Sequence, residues 1–393
     1  MQTQKAIKGV NLLFLAIVMV AVVFEIVVGV LSAFGIDVFM GKITLQLVYS
    51  QLIFVIPAVL YFLFSKKDSY RKGFEFVRYK KISFSNILLC ILLYICLSPV
   101  LNFFNALSML YSTNVISSVM FSVSDEVPFI VGLLLIAVIP AFLEEFTYRG
   151  LFYNTYRLGA GFGAALLSGL LFGLVHGNLN QFTYAFVLGV IFALIVEATD
   201  SLWSTMIVHA LVNSVSVVTI YGLPKMLEWM QTLYDTAKAE NDINTMALLE
   251  RIMGTDDFTV DAFMGTASGT LTTMDVLLMI RGYLIPAIAG GALVFLLLRF
   301  IAKRCGRWEI LCSMFGGKEQ AAAPIKKEVL EQSEDGTFTS YPVYAEVPLE
   351  PQPVGRIKLV TWELIAAAVV QILLMITTEL ILRYGDELYA LWQ

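Results

Sequence analysis

Nine long apolar runs constrain this chain more than any other feature of its sequence. Hydrophobic residues make up 58% of the 393 positions and charged residues only 15%, well below the quarter that is usual for soluble domains. Runs of about 20 apolar residues are long enough to cross a bilayer as helices. We therefore predict an all-α fold, a polytopic membrane helix bundle of about nine transmembrane helices, near residues 10–32, 44–64, 82–105, 127–149, 162–177, 181–198, 202–222, 276–299 and 360–382.

The distribution of Lys and Arg predicts how these spans are oriented. The loop after the second span, residues 65–81, carries seven Lys or Arg residues, whereas residues 223–275 carry nine Asp or Glu and only three Lys or Arg. The positive-inside rule places the first segment in the cytoplasm. Counting spans from there places the N-terminus in the cytoplasm and residues 223–275 outside. We expect an integral membrane protein of a bacterial cell membrane.

The same pattern divides the chain into six parts. We predict these boundaries: 1–126, a three-span membrane region; 127–222, a helical core; 223–275, an extracytoplasmic cap or spacer; 276–301, a membrane span; 302–357, a cytoplasmic polar segment; 358–393, a C-terminal membrane span. Two of the four cysteines lie in the third span and two on the predicted cytoplasmic side, so no disulfide framework is indicated. The chain has no phosphate-binding loop and no separate basic domain, which argues against a nucleic-acid partner.

The stretch PAFLEEFTYRG, residues 140–150, places two glutamates and an arginine in a membrane span. An ionised side chain at the centre of a span costs roughly 2.5 to 3.5 kcal/mol on insertion scales, so such residues pair, face a wet cavity or take part in a reaction. Glu145 and Arg149 are i,i+4 neighbours, which favours an ion pair. Glu144 has no such countercharge in sequence. Beside an imidazole it could act as a general base on water; a purely structural charge cluster is the alternative.

Both histidines of the chain, His176 and His209, lie in predicted spans. A histidine in a membrane is often a hydrogen-bonding group between helices. Asn213 follows His209 at i+4, so the two share a helix face. Glycines at four-residue spacing, which allow close approach of another helix, surround the first histidine: Gly169, Gly173 and Gly177. Both histidines are therefore predicted on packed, partly polar faces.

A helical hairpin would bring the first glutamate and the first histidine to one depth. The glycine-rich segment 159–163 predicts a turn between two helices. Residues 144 and 176 each lie sixteen positions from residue 160, which is about 20 Å along a helix. His209 lies about ten residues beyond the next predicted cytoplasmic turn, or roughly 15 Å into the membrane. Glu144 and His176 are thus predicted to share a site that His209 could join.

Three short motifs resemble those of a known family. EEFTYR (144–149) fits E-E-x-x-x-R, FGLVH (172–176) fits F-x-x-x-H, and HALVN (209–213) fits H-x-x-x-N. Their order resembles that of the CAAX-processing and bacteriocin-processing (CPBP, or Abi) intramembrane endopeptidases. The resemblance covers about residues 127–222, the helical core of the bundle.

The resemblance implies a glutamate-type intramembrane endopeptidase that acts without a metal cofactor. Its substrate would be a membrane protein or peptide, membrane-associated or lipid-modified, bound within the lipid bilayer. The first glutamate and the histidine of the second motif would activate a water, and the third motif would supply the oxyanion hole: Glu144, His176, His209 and Asn213. Supporting residues would surround them: Glu145, Arg149 and Phe172.

Other functions fit the same residues. Glu144 and the two histidines could bind zinc with an open fourth position, although the H-E-x-x-H motif is absent and Asn213 is a poor zinc ligand. The ionisable residues could form the relay of a proton-coupled transporter, or the family fold could serve as a non-proteolytic scaffold. The identity of the substrate, its prenylation and the oligomeric state stay open.

Overall fold

The computed structural model describes residues 2–65, 70–114, 123–124, 126–253, 272–316, 325–332, 338–345 and 357–392. Twelve helices and one two-stranded sheet cover most of these residues. They are α1 (Gln2–Ala33), α2 (Ile43–Ser65), α3 (Tyr70–Phe76), α4 (Phe84–Ser108), α5 (Phe129–Ala160), α6 (Phe162–Leu174), α7 (Leu179–Thr199), α8 (Leu202–Glu240), α9 (Ile243–Met253), α10 (Thr273–Arg304), α11 (Trp308–Gly316), β1 (Ile325–Gln332), β2 (Phe338–Ala345) and α12 (Trp362–Trp392).

Eight of the described helices are long and apolar enough to cross a membrane, and the shorter apolar helix α6 coincides with the fifth predicted span, 162–177. The predicted polytopic helix bundle is therefore confirmed. Large apolar side chains stay exposed on its outer helices, such as Val23 on α1, Ile285 on α10 and Leu373 on α12. In a bilayer these side chains face lipid, because hydrocarbon provides the apolar surroundings that a soluble protein finds only in its core.

Polar contacts join neighbouring helices at both ends of the bundle. At the predicted cytoplasmic end, the Asn11 amide donates to the Leu359 carbonyl at 2.8 Å and accepts from the Tyr156 hydroxyl at 2.6 Å. At the opposite end, the Glu379 carboxylate of α12 accepts from the backbone and the hydroxyl of Thr113 at 3.0 Å. The last span is thus bound into the bundle at both ends, and the first span at the predicted cytoplasmic end.

The turn predicted between residues 159 and 163 lies between α5 and α6. Gly161 has a positive φ of 49°, a backbone conformation that side chains other than glycine rarely adopt. A Cβ atom on Gly161 would also lie 2.9 Å from the Met314 carbonyl oxygen, so α11 closes over this turn. The hairpin turn is therefore where the sequence predicts it, and it sets α5 against α6.

The segment predicted as an extracytoplasmic cap begins inside a helix. α8 has 39 residues, about 58 Å at 1.5 Å per residue, and continues past residue 223 without a break. α9 folds back on it, and the Tyr234 hydroxyl donates to the Glu250 carboxylate at 2.8 Å. Residues 254–271 of the predicted cap lie outside the described residues.

The predicted cytoplasmic polar segment, 302–357, contains regular structure. It includes α11 and an antiparallel pairing of β1 with β2, in which Ile325 lies opposite Ala345. The two strands pair with each other in a small sheet, which does not change the fold class. All four cysteines of the chain are free, as predicted: Cys90, Cys96, Cys305 and Cys312.

Candidate active site

The two adjacent glutamates lie where α5 changes its helical winding. Leu133–Val138 and Phe146–Tyr153 are π-helical, whereas Ile139–Glu145 between them is α-helical. A π-helical stretch leaves backbone groups without their usual partners and often occurs at functional sites. The Ser168 hydroxyl of α6 donates to the Tyr148 carbonyl, within the second of these stretches, at 3.0 Å. Contact with the neighbouring helix therefore stabilises the altered winding.

Glu145 is the structural member of the glutamate pair. Its side chain is fully buried, and one oxygen, Oε1, binds two partners. Arg149 donates to it at 2.8 Å, and Nδ1 of His209 lies 2.9 Å away. The ion pair of Glu145 with Arg149 matches the i,i+4 prediction, while the contact with His209 joins α5 to α8.

Two aromatic rings enclose the Arg149 guanidinium. Its central carbon lies 4.3 Å from the ring centroid of Phe172 and 4.8 Å from that of Phe192. Cation–π contact of this kind partly replaces the water that a buried guanidinium loses. The rings can come this close because α6 and α7 nearly touch: a Cβ on Gly189 would lie 2.7 Å from the Gly169 Cα. The predicted close approach at the glycine face is thus confirmed at Gly169.

Glu144 has different surroundings from its neighbour. Its side chain is 17% exposed, compared with 0% for Glu145, and its Oε2 lies 3.8 Å from Nε2 of His209. That distance is too long for a direct hydrogen bond but fits a charge interaction. Glu144 is therefore the carboxylate of the pair that is accessible to a water or a substrate.

His176 lies at the end of α6 with its Nδ1 atom 2.7 Å from the Phe172 carbonyl oxygen. A carbonyl oxygen only accepts hydrogen bonds, so Nδ1 carries a proton and the neutral ring has its lone pair on Nε2. The described ion pairs include none within 4.0 Å between Glu144 and His176. The structure thus places His209, instead of His176, in direct ionic range of Glu144.

Asn213 lies one helical turn after His209 and contacts the other π-helical stretch of α5. Its Nδ2 donates to the Ile136 carbonyl oxygen at 3.2 Å. An amide nitrogen carries two protons, so one donor remains after this bond. This contact holds Asn213 against α5, the helix that carries both glutamates.

The sequence prediction missed Phe192, which is fully buried in α7. Its ring covers Arg149 and lies 5.3 Å from the ring of His209. Among the many apolar residues of α7, no local pattern distinguishes it. Its position becomes evident only when α6, α7 and α8 are assembled.

A second buried carboxylate, Glu197 of α7, was also missed. It accepts from Arg157 at 2.8 Å, from Arg307 at 2.6 Å and from Arg78 at 3.0 Å. Burial lowers the pKa of the Arg78 guanidinium, and the adjacent Glu197 charge acts in the opposite direction. Tyr153 also donates to Glu197, at 2.9 Å. A glutamate within an apolar span is itself a sequence signal that could have identified this cluster.

The described residues contain no group of three or more His, Cys, Asp or Glu arranged to hold a metal ion. In particular, Glu145 occupies Nδ1 of His209, and the Phe172 carbonyl occupies Nδ1 of His176. Only the Nε2 atoms of the two rings remain for a ligand. Zinc-bound histidines usually make such Nδ1 contacts too, so the absence of a metal stays a prediction.

Comparison with known families gives one match. Residues 126–215 match the family model described as "Type II CAAX prenyl endopeptidase Rce1-like". None of the curated proteins and none of the solved structures matches the chain. The matched segment contains all three motifs and covers α5, α6, α7 and the first part of α8. Residues 126–215 are therefore similar to the Rce1-like endopeptidases of the CPBP family, as the three motifs predict.

Proposed function

We propose that this protein is an intramembrane endopeptidase that hydrolyses a peptide bond of a membrane-associated or lipid-modified protein. The difference between the two adjacent glutamates carries the proposal. Glu145 is buried and bound by Arg149 and His209, whereas Glu144 is partly exposed beside them. A buried, neutralised carboxylate cannot receive a proton from water without breaking its ion pair, but an accessible one can act as a general base.

In the proposed mechanism, Glu144 removes a proton from a water that attacks the scissile carbonyl carbon. His176 assists by accepting a hydrogen bond from that water at Nε2, the ring atom left free by the Phe172 carbonyl. The attack forms a tetrahedral intermediate with a negatively charged oxygen. The proton held by Glu144 then passes to the leaving amine as the carbon–nitrogen bond breaks.

His209 and Asn213 are the proposed oxyanion donors. Because Nδ1 of His209 faces Glu145, a donor at Nε2 requires a doubly protonated ring. Two carboxylate oxygens lie close to this ring, at 2.9 Å from Nδ1 and 3.8 Å from Nε2. Asn213 contributes the amide proton that its bond to Ile136 leaves free. Donors fixed in place before the reaction stabilise developing charge most effectively.

The experiment for this proposal is comparative peptidomics of cells that carry the wild-type chain or the Glu144→Gln variant. The expected result is one or more membrane-derived peptides that appear only with the wild type. The side of the membrane on which they appear shows to which side the product is released. Identical peptide sets, combined with proton-coupled uptake by the purified protein in liposomes, would favour the transporter instead.

The metal question needs its own measurement. We propose that no metal takes part in hydrolysis, so a strong zinc chelator should leave peptide cleavage by the purified protein unchanged. Loss of cleavage that added zinc restores would overturn this part of the proposal, since it would assign a metal to Glu144 and the two histidines.

A further inference from the structure

The C-terminal helix α12 carries a buried amide, Gln371, in the middle of its apolar length. The Gln371 side chain is 6% exposed, and the residues that follow it, 372–376, are all apolar. α12 packs against α1, α6 and α7. A polar group in such surroundings is costly unless it is hydrogen-bonded, so the partners of Gln371 require an explanation.

The Gln371 amide lacks an internal partner for its carbonyl oxygen. Oε1 is buried and makes no hydrogen bond with any described residue. Glu379, two turns later on the same helix, behaves differently, because Thr113 and Arg383 both donate to it. Glu379 is thus used in packing, whereas the Oε1 acceptor of Gln371 has no partner among the described residues.

The amide nitrogen of Gln371 lies beside the candidate active site. Nε2 is 3.9 Å from the position that a Cβ on Gly177 would occupy, and Gly177 directly follows His176. Gly177 has a φ of 70°, so the chain turns away from α6 at this point. A side chain from the last span, well outside the matched segment, therefore reaches the residue next to a proposed catalytic histidine.

We infer that Gln371 binds the backbone of the substrate peptide next to His176, an inference that rests on the proposed endopeptidase function. A side-chain amide complements a peptide group, since Oε1 can accept from a backbone N–H and Nε2 can donate to a backbone carbonyl. A peptide that unwinds for cleavage inside a bilayer exposes such groups where water is scarce. Gln371 would satisfy one of them in the bound complex.

The test compares Gln371→Met with Thr378→Val on the full chain in lipid nanodiscs. Methionine keeps the length of the side chain and removes both hydrogen-bonding atoms. Thr378 is exposed on the same helix, so its substitution is the matched control. A fluorescent, farnesylated CAAX peptide serves as the probe, and both variants are measured for cleavage and, in a Glu144→Gln background, for direct binding.

Gln371→Met is expected to raise KM and weaken binding by about twofold to tenfold, the effect of losing one hydrogen bond. The value of kcat should not change, and Tm should not fall, because methionine removes an unpartnered buried amide from the free protein. Thr378→Val should change neither. Unchanged binding by Gln371→Met, or a lower Tm with unchanged KM, would overturn the inference. If the chain binds the peptide through Gln371 but the wild type does not cleave it, only the proposed function fails. If the chain does not bind the peptide at all, both fail.

Discussion

Glu145 and His209 are joined by a 2.9 Å contact between Oε1 and Nδ1, and the same carboxylate oxygen accepts from Arg149 at 2.8 Å. One buried carboxylate therefore fixes both the arginine of its own helix and the imidazole of α8. The contact also aims Nε2 of His209 toward Glu144, at 3.8 Å. The two glutamates are not interchangeable, because one holds the site together and the other remains accessible within it.

Replacement of Glu144 by Gln should abolish proteolysis without unfolding the protein. The amide keeps the shape of the side chain but cannot accept a proton from water, so the cleavage rate should fall by about a hundredfold to ten-thousandfold. His176→Ala should cause a loss of similar size. Peptide cleavage and thermal unfolding of the purified variants provide the measurement, with Glu25→Gln, on an exposed part of α1, as the control. Full activity in both active-site variants would contradict the assigned roles.

Replacement of Glu145 by Gln should instead destabilise the fold. It leaves the Arg149 guanidinium buried between two rings without its countercharge, a change that typically costs about 3 to 5 kcal/mol. Arg149→Met should cost a similar amount by stranding the carboxylate. The measurement is the Tm of each variant in detergent micelles.

The double variant of Glu145 and Arg149 is the control for that interpretation. Because the two residues form one pair, removal of both should cost less than the sum of the two single losses. Strictly additive losses would show that the pair does not contribute as a unit. His209 would then need to supply most of the stabilisation of Glu145.

Replacement of Gly189 by Ala should separate α6 from α7. The added Cβ would lie 2.7 Å from the Gly169 Cα and 3.2 Å from Nη2 of Arg149. Overpacking of this kind usually costs about 1 to 3 kcal/mol, and displacement of Arg149 should also lower kcat. Gly282→Ala in α10 is the matched control, since a Cβ there meets nothing within 4 Å. Equal Tm values for the two variants would show that the close helix contact adds no stability.

The sequence predicts those parts of the site that depend on spacing along a single helix. The ion pair of Glu145 with Arg149 follows from i,i+4 geometry, and the turn at Gly161 follows from its glycine cluster. Apolar length likewise predicts the spans, because the bilayer sets how long a membrane helix must be. These features need no knowledge of how one helix is rotated against another.

The rest of the site depends on the rotation of each helix about its axis. Equal depth favoured a contact of Glu144 with His176, yet the ion-range partner of Glu144 is His209. Depth follows from residue counts, whereas the direction of a side chain follows from packing. For the same reason the sequence did not identify Phe192 on α7 or Gln371 on α12. Both reach the site from helices that carry no part of the three motifs.

The Glu197 cluster leads to the last prediction. Glu197 binds arginines from three separate segments, Arg78, Arg157 and Arg307, and so connects α7 to α5 and to the loops that precede α4 and follow α10. Glu197→Gln would remove the central negative charge and leave Arg157 without its carboxylate partner. Asp200 would remain beside the other two arginines, at 3.3 Å from Arg78 and 3.6 Å from Arg307. The loss should reach about 3 kcal/mol or more, because it strands buried charges.

A lowered Tm with unchanged kcat for the molecules that remain folded is the expected outcome, since Glu197 has no role in the proposed chemistry. The exposed Glu309 of α11 lies at the same end of the bundle, and Glu309→Gln should shift stability by no more than about 0.5 kcal/mol. A fall in kcat of the folded Glu197→Gln protein would give the cluster a different meaning. It would show that a change at Glu197 shifts Phe192 on the same helix, and that Phe192 in turn shifts Arg149 and His209.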